Sequence, residues 1–206
     1  AQLLEILNDV LVVAQADVSG KMALNNTDFD FDALLRSIVE PIEIKANSKG
    51  LAFNLEMGLI PRTLHGDANR LGEILSKLLT NAVKFTEHGS ILLRGRVVEA
   101  GALDVMLRFE VQDSGIGIPP EIGERVFEAF EQGDNSSTRN FGGTGLGLNI
   151  VRSQARMMGG DVGFVSTPCV GSTFWVTVAL AKAHVDQPPE TIAVADAKAA
   201  LQRGFA

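Results

Sequence analysis

The sequence predicts an α/β sandwich, a two-layer arrangement in which one mixed sheet is covered on one face by helices. Three observations carry that expectation. Apolar residues alternate in several runs, most clearly at Val105, Leu107, Phe109 and Val111 and at Phe174, Val176, Val178 and Leu180. A few segments of helical period interrupt those runs. The chain has 206 residues, 46% of them hydrophobic, enough for one compact domain of about 150 residues with a sizeable core.

Taken in order, residues 3–24 read as a helix, with Leu3, Ile6, Val10 and Val13 on a seam of three-and-four spacing. That seam suits either an ordinary amphipathic helix or the end of a coiled coil. Phe29 and Phe31 alternate with Asp28, Asp30 and Asp32, which predicts a short strand. A helix is expected to follow as far as Ser48, with Gly50 just past its end. Leu51, Phe53, Leu55 and Met57 alternate as a strand. Asp67 is a suitable N-cap for a helix ending near Phe85, whose core face would hold Leu71, Ile74, Leu75, Leu78, Ala82 and Phe85. Residues 91–98 and 103–112 predict paired strands joined near Gly101. An irregular stretch over 119–140 contains a helical turn at 121–130. A helix over 146–158 is stopped by Gly159 and Gly160. Residues 161–166 and 172–180 form the last hairpin. Beyond Lys182 the composition shifts to Ala, Asp, Gln and Pro, which reads as a linker or tail over 182–206, with a short Ala-rich helix at 191–202.

A formal net charge of −7 argues against a nucleic-acid surface, which depends on Lys and Arg neutralising phosphates. One cysteine, Cys169, forms no internal disulfide and suits a reducing compartment. No apolar run approaches the roughly 20 residues of a membrane span, and no signal-peptide pattern opens the chain. These features lead us to expect a cytoplasmic chain, with room for a parent protein anchored in the inner membrane.

Three motifs carry chemistry. On the helix after Asp67, Glu73, Lys77, Asn81 and Lys84 fall on a narrow polar stripe. The stripe is either a solvated face or a site in which Asn81 offers a neutral oxygen to Mg²⁺ and a Lys meets phosphate. DSGIGIPPE at 113–121 begins where a strand ends. It is either a surface turn or an adenine site, in which the Asp113 carboxylate accepts from the exocyclic amine of adenine and rejects the guanine carbonyl. Gly115 and Gly117 would let backbone approach a flat base, and Ile116 and Ile118 would wall it. NFGGTGLGLNI at 140–150 brings glycines into a helix start, either as a flexible loop or as backbone amides that bind phosphate. Neither a dinucleotide-binding fingerprint nor a Walker-type P-loop fits these glycines.

In this order and spacing, the motifs resemble the nucleotide-binding domain of sensor histidine kinases, within the gyrase, Hsp90, histidine kinase and MutL ATPase superfamily. The resemblance covers about residues 27–180. LLTNAVKFT looks like the N box, DSGIGIP the G1 box, VFEAFEQGD the F box and GGTGLGL the G2 box. It implies the Bergerat-type ATP-binding fold over 27–181, with 1–24 similar to the second helix of a dimerisation and phosphoacceptor hairpin. It places Asn81 on Mg²⁺ and Asp113 on adenine, with Lys84 and Phe85 near phosphates and base. Phe127 and Phe130 would anchor a lid over 131–141, from which Arg139 would meet the terminal phosphates. The backbone of Gly143, Thr144, Gly145, Leu146, Gly147 and Leu148 would cradle those phosphates, while Gly115, Gly117 and Ile118 line the base. Thr173 matches a threonine that assists Asp113.

The implied function is transfer of the γ-phosphoryl group of Mg·ATP to a histidine on a separate helical domain, in two-component signal transduction through a response-regulator receiver domain. Two departures stand beside it. Lys77 occupies a position where these kinases often carry Asn and hydrolytic relatives carry Glu, which argues against efficient ATP hydrolysis. His65, His88 and His184 lack the context of a phosphoacceptor helix. The alternatives are a nucleotide-binding regulatory module that does not transfer phosphate, and a self-contained ATPase. The intact kinase would be a homodimer, and this chain alone a monomer or weak dimer.

Overall fold

The structure, a computed structural model, describes residues 24–128 and 147–183. The sequence pattern of alternating Phe and Asp stops one residue early. β1 runs Thr27–Asp30, and Phe31 is already the first residue of α1, Phe31–Ser48. Asp30 decides this, because its carboxylate accepts from the Ala33 amide at 2.9 Å and caps the helix. Phe31 then turns inward and stacks on Phe109, with ring centroids 6.0 Å apart. Pro41 lies inside α1, yet the helix continues, with Ile38, Val39, Ile42 and Ala46 buried on both sides of it.

After α1 come β2, Ala52–Met57, and β3, Thr63–Gly66. β3 was not anticipated, since only Leu64 in it is a buried apolar side chain. Asp67 caps α2, Ala68–Phe85, accepting from the Arg70 amide at 3.1 Å. β4, Ser90–Ala100, and β5, Asp104–Asp113, form the expected pair. The helical turn expected at 121–130 is a 3₁₀ turn at Gly123–Phe127. The described part of the last helix is α3, Gly147–Met157, followed by β6, Val162–Thr167, and β7, Gly171–Lys182.

Among the described residues, seven strands form one mixed sheet in the order β1-β3-β7-β5-β4-β2, with β6 also paired to β7. β2 and β4 are parallel and the other pairs antiparallel. One face of the sheet carries Ile91, Leu93, Val105, Leu107, Phe109, Val111, Val176, Val178 and Leu180. These pack with the buried residues of α1, α2 and α3 into a single core. The other face is polar: Glu56, Arg94, Arg96, Arg108 and Glu110 are ion-paired along it, and the Arg108 guanidinium lies 4.4 Å from the Trp175 ring centroid. The architecture is thus the two-layer sandwich expected from the sequence.

The core face of α2 is wider than its apolar stripe suggested. Leu79 and Val83 join it, while Phe85 at the helix end is only half-buried. The helix is wedged between α1, α3 and the sheet, so a broad arc is enclosed. At its end, the Phe85 carbonyl accepts from the Ile116 amide in the loop after β5.

Candidate functional site

Asp113 is the last residue of β5, on the helix-covered face, in line with Val105, Leu107, Phe109 and Val111. It is 8% exposed, where a carboxylate is costly to bury. Burial pushes its pKa above the ordinary carboxylate value, and the amides of Gly115 and Ser172 act in the opposite direction. The Gly115 amide donates to Asp113 Oδ1 at 2.8 Å. Asp113 is thus a buried carboxylate at a strand end whose donors within the chain are backbone amides.

The loop after Asp113 is held against two neighbours by backbone contacts. On one side, the Ile116 amide donates to the Phe85 carbonyl at 3.3 Å. Gly115 sits so close that a Cβ there would lie 2.4 Å from that carbonyl oxygen. On the other side, the Cys169 amide donates to the Ile116 carbonyl at 2.8 Å, and the Ile118 amide to Ser166 Oγ at 2.8 Å. Gly117 has φ +69°, and a Cβ would lie 2.2 Å from the Thr167 carbonyl oxygen. The loop therefore threads between the C-terminus of α2 and the β6–β7 turn, and glycine is required at both tight points.

Phe85, Asp113, Gly115, Gly117 and Ile118 are thus brought together. Asn81 and Lys84 share the end of α2 with Phe85, both half-buried. The Lys84 ammonium lies 4.8 Å from the Phe85 ring centroid, and burial lowers its pKa. Lys77, one turn before Asn81, is also half-buried. Glu73, at the far end of the stripe, accepts from Gln154 of α3.

Thr173 does not join this group. It pairs with the exposed Gln112, on the polar face of the sheet. The residue opposite Asp113 is Ser172, which is 7% exposed. Directly paired residues share a face, so the pleat brings Ser172 rather than Thr173 beside Asp113. The Ser172 hydroxyl is 2.9 Å from that of Ser166, which also donates to the Gly171 carbonyl at 3.0 Å. Counting back by twos from the buried Val176 through Phe174 would have found Ser172 in the sequence.

The glycine-rich segment is described only from Gly147, which opens α3 with Leu148, a half-buried residue packed on the core. Phe130, Arg139, Gly143, Thr144, Gly145 and Leu146 lie outside the described residues. So do residues 3–23 of the helix expected at 3–24, the lid at 131–141 and residues 184–206 of the expected tail, whose first residue, Lys182, ends β7 instead. Phe127 is 4% exposed and packs edge-on against Phe164 and Phe174. Its carbonyl accepts from Asn149 Nδ2 at 3.2 Å, tying the 3₁₀ turn to the start of α3. Phe127 is therefore packed into the core.

Residues 66–182 match the family model for histidine kinase-, DNA gyrase B- and HSP90-like ATPases. The chain belongs to this family. It is similar to the sensor protein GacS of Pseudomonas syringae pv. syringae, 39% identical over 186 residues, which are 90% of this chain and 20% of that protein. It is likewise similar to the signal transduction histidine-protein kinase BarA of Escherichia coli K12, 40% identical over 182 residues, 86% of this chain and 19% of that one. The chain thus spans about a fifth of these relatives' length. Among solved structures, full-length ShkA in complex with AMPPNP superposes with a TM-score of 0.76 at 34% identity, covering 88% of this chain and 36% of that chain. The catalytic domain of histidine kinase ThkA matches with a TM-score of 0.59 at 25% identity, covering 75% of this chain and 97% of that one. An ATPase domain of histidine-kinase type accounts for the sheet, the helix layer and the loop crowded around Asp113.

Proposed function

We propose that this chain binds Mg·ATP and donates the γ-phosphoryl group to a histidine on a separate helical domain of a sensor histidine kinase. The observation that carries the proposal is the buried Asp113 carboxylate at the end of β5, held by the Gly115 amide in a notch too tight for any side chain at position 115. Such an acceptor suits the adenine amine and leaves the guanine carbonyl facing a carboxylate. Ser172, rather than Thr173, is the hydroxyl that would assist it.

The remaining roles follow the polar end of α2. Phe85 and Ile118 border the base. Lys84 meets phosphate charge, and Arg139 with the amides of Gly143, Thr144, Gly145, Leu146, Gly147 and Leu148 would complete the phosphate cradle. Asn81 would hold the metal. Among the described residues, no three His, Cys, Asp or Glu side chains are grouped to cage an ion. That donor set fits Mg²⁺ carried in by phosphates, which needs only one or two protein oxygens. When bound, the ion neutralises charge on the transferring phosphoryl group; the protein's share is to position and exclude water.

The receiving histidine would belong to the kinase's own dimerisation hairpin, and the phosphate would pass next to a response-regulator receiver domain. The setting would be cytoplasmic; no helix among the described residues is long and apolar enough to cross a membrane. The test is to incubate the purified chain with labelled ATP, Mg²⁺ and a supplied histidine-bearing hairpin dimer. Acid-labile phosphate on the hairpin is the expected result. ATP binding without transfer would replace the proposal with a regulatory nucleotide-binding module, to which Lys77 beside Asn81 would then be the clue. Steady release of inorganic phosphate without a hairpin would favour a self-contained ATPase.

A further inference from the structure

An α-helix leaves its last four carbonyls without amide partners. In α2, whose C-cap Thr86 donates its amide to Ala82, these belong to Val83, Lys84, Phe85 and Thr86. Phe85 accepts from Ile116 in the loop behind Asp113. The other three face one side chain. Lys49 Nζ is 2.6 Å from the Val83 oxygen, 3.2 Å from that of Thr86 and 3.5 Å from that of Lys84. An ammonium has three N–H donors and no acceptor, so this one turn of α2 uses the whole group. Its charge also offsets the negative end of the helix dipole.

We propose that Lys49 is a positioning residue for adenine selection, acting through the carbonyls of α2 on the notch that holds Asp113. The inference rests on the adenine reading of that notch. Lys49 stands at the C-cap of α1, and its ammonium bonds the end of α2. Its effect is transmitted in two short steps. It fixes the carbonyls on both sides of Phe85, and the Phe85 carbonyl fixes Ile116, on whose preceding residue Asp113 closes its hydrogen bond. With Gly115 already tighter than van der Waals contact would allow a Cβ, a small rotation of the Phe85 peptide changes the width of the notch. Such a shift acts on recognition of the base more than on capture of the phosphates. Lys49 would therefore set how sharply ATP is told from GTP.

The experiment titrates the full 206-residue chain with ATP and with GTP by calorimetry, for the native protein, Lys49→Met and Lys49→Arg, with folding followed by circular dichroism. The native chain comes first: if it does not prefer ATP, the adenine reading itself fails and Lys49 is not at issue. Given that preference, Lys49→Met is expected to weaken ATP at least fivefold and GTP less, so the preference narrows, and Lys49→Arg to recover most of it. Leu35→Ala, a core truncation in α1, should lower the melting temperature without moving the ATP-to-GTP ratio. A folded Lys49→Met with the native ratio overturns the proposal. Should Lys49→Met not fold, Lys49→Gln takes its place, read by hydrogen exchange at the Ile116 amide. Faster exchange together with a narrowed ratio supports the proposal, and native values of either reject it.

Discussion

Asp113 and Glu110 lie three residues apart on β5 and face opposite sides of the sheet, and their carboxyl groups are perturbed in opposite directions. Asp113 looks toward the helices, is buried, and is pushed above its ordinary pKa by the loss of water. Glu110 looks to the open face. There a hydrogen bond from Arg108 at 2.6 Å, with Arg96 and Arg94 nearby, holds it below its ordinary value despite some desolvation. One carboxylate is satisfied by cations of its own chain and stabilises the sheet. The other is buried with the backbone amides of Gly115 and Ser172 as its donors, a perturbation of the kind that gathers at binding sites. A single strand thus separates an ion-paired face from the proposed binding end.

The largest effect that would sharpen this contrast is on nucleotide binding. Asp113→Asn is expected to weaken ATP binding by roughly 1.5–3 kcal/mol, the range for a lost hydrogen bond to a charged group, with the fold intact by circular dichroism. Glu110→Gln should leave the same calorimetric titration unchanged. Equal losses in both variants would mean that β5 acts as one structural unit, and the division into two faces would fail.

Much of this was legible in the sequence. Asp67 and Asp113 were readable because each sits at a junction of periods, where a strand or loop pattern gives way to another. The alternation on β5 and β7 predicted the covered face residue by residue. Ser172 lies within reach of the same alternation, whereas the family resemblance points to its neighbour Thr173. Other features are tertiary in origin. β3 has a single buried apolar residue, so its pairing with β1 and β7, not its composition, makes it a strand. Phe85 follows the core spacing of α2 but is the last residue of the helix and only half-buried there. The Lys49 cap joins residues 34 to 37 positions apart, a span no local pattern records.

Gly115→Ala tests the steric half of the binding end. A Cβ would crowd the Phe85 oxygen at 2.4 Å and Asp113 Oδ1 at 2.8 Å, and backbone oxygen cannot swing aside as a long side chain would. Overpacking of this kind costs about 1–3 kcal/mol. The loss should appear both in melting temperature and in ATP affinity. An alanine variant that binds ATP as the native chain does would show that the notch is wider in solution than the close approach implies.

Smaller still is the expected effect on the open face. Glu110→Gln leaves Arg108 its place over Trp175 but removes the charge that three arginines share. Screening by water limits such pairs to about 1 kcal/mol or less. Chemical denaturation should therefore show a slight loss of stability that shrinks further in high salt. A loss several times larger would mean that the ion pairs organise the sheet rather than decorate it.

The two carboxylates should also separate by pH, with opposite signs. Glu110 has a folded pKa below its ordinary 4.5, so its contribution is present above 4.5 and is lost as pH falls through the folded value. Asp113 has a folded pKa above its ordinary 3.8, so the folded state holds the proton more tightly than the unfolded one. Its ionisation therefore lowers stability as pH rises from 3.8 through the folded pKa, and the loss is complete above that. ATP binding at Asp113 should run the other way, strengthening over the same rise as the carboxylate gains its charge. Denaturation of the native chain, Asp113→Asn and Glu110→Gln between pH 3.5 and 7, about the range of carboxylate titration, resolves the two. The stability of the native chain relative to Asp113→Asn should fall with rising pH, and its stability relative to Glu110→Gln should rise. Parallel slopes would mean that Asp113 is no more desolvated than Glu110, and the case for an acceptor reserved for an outside donor at the end of β5 would lose its electrostatic support.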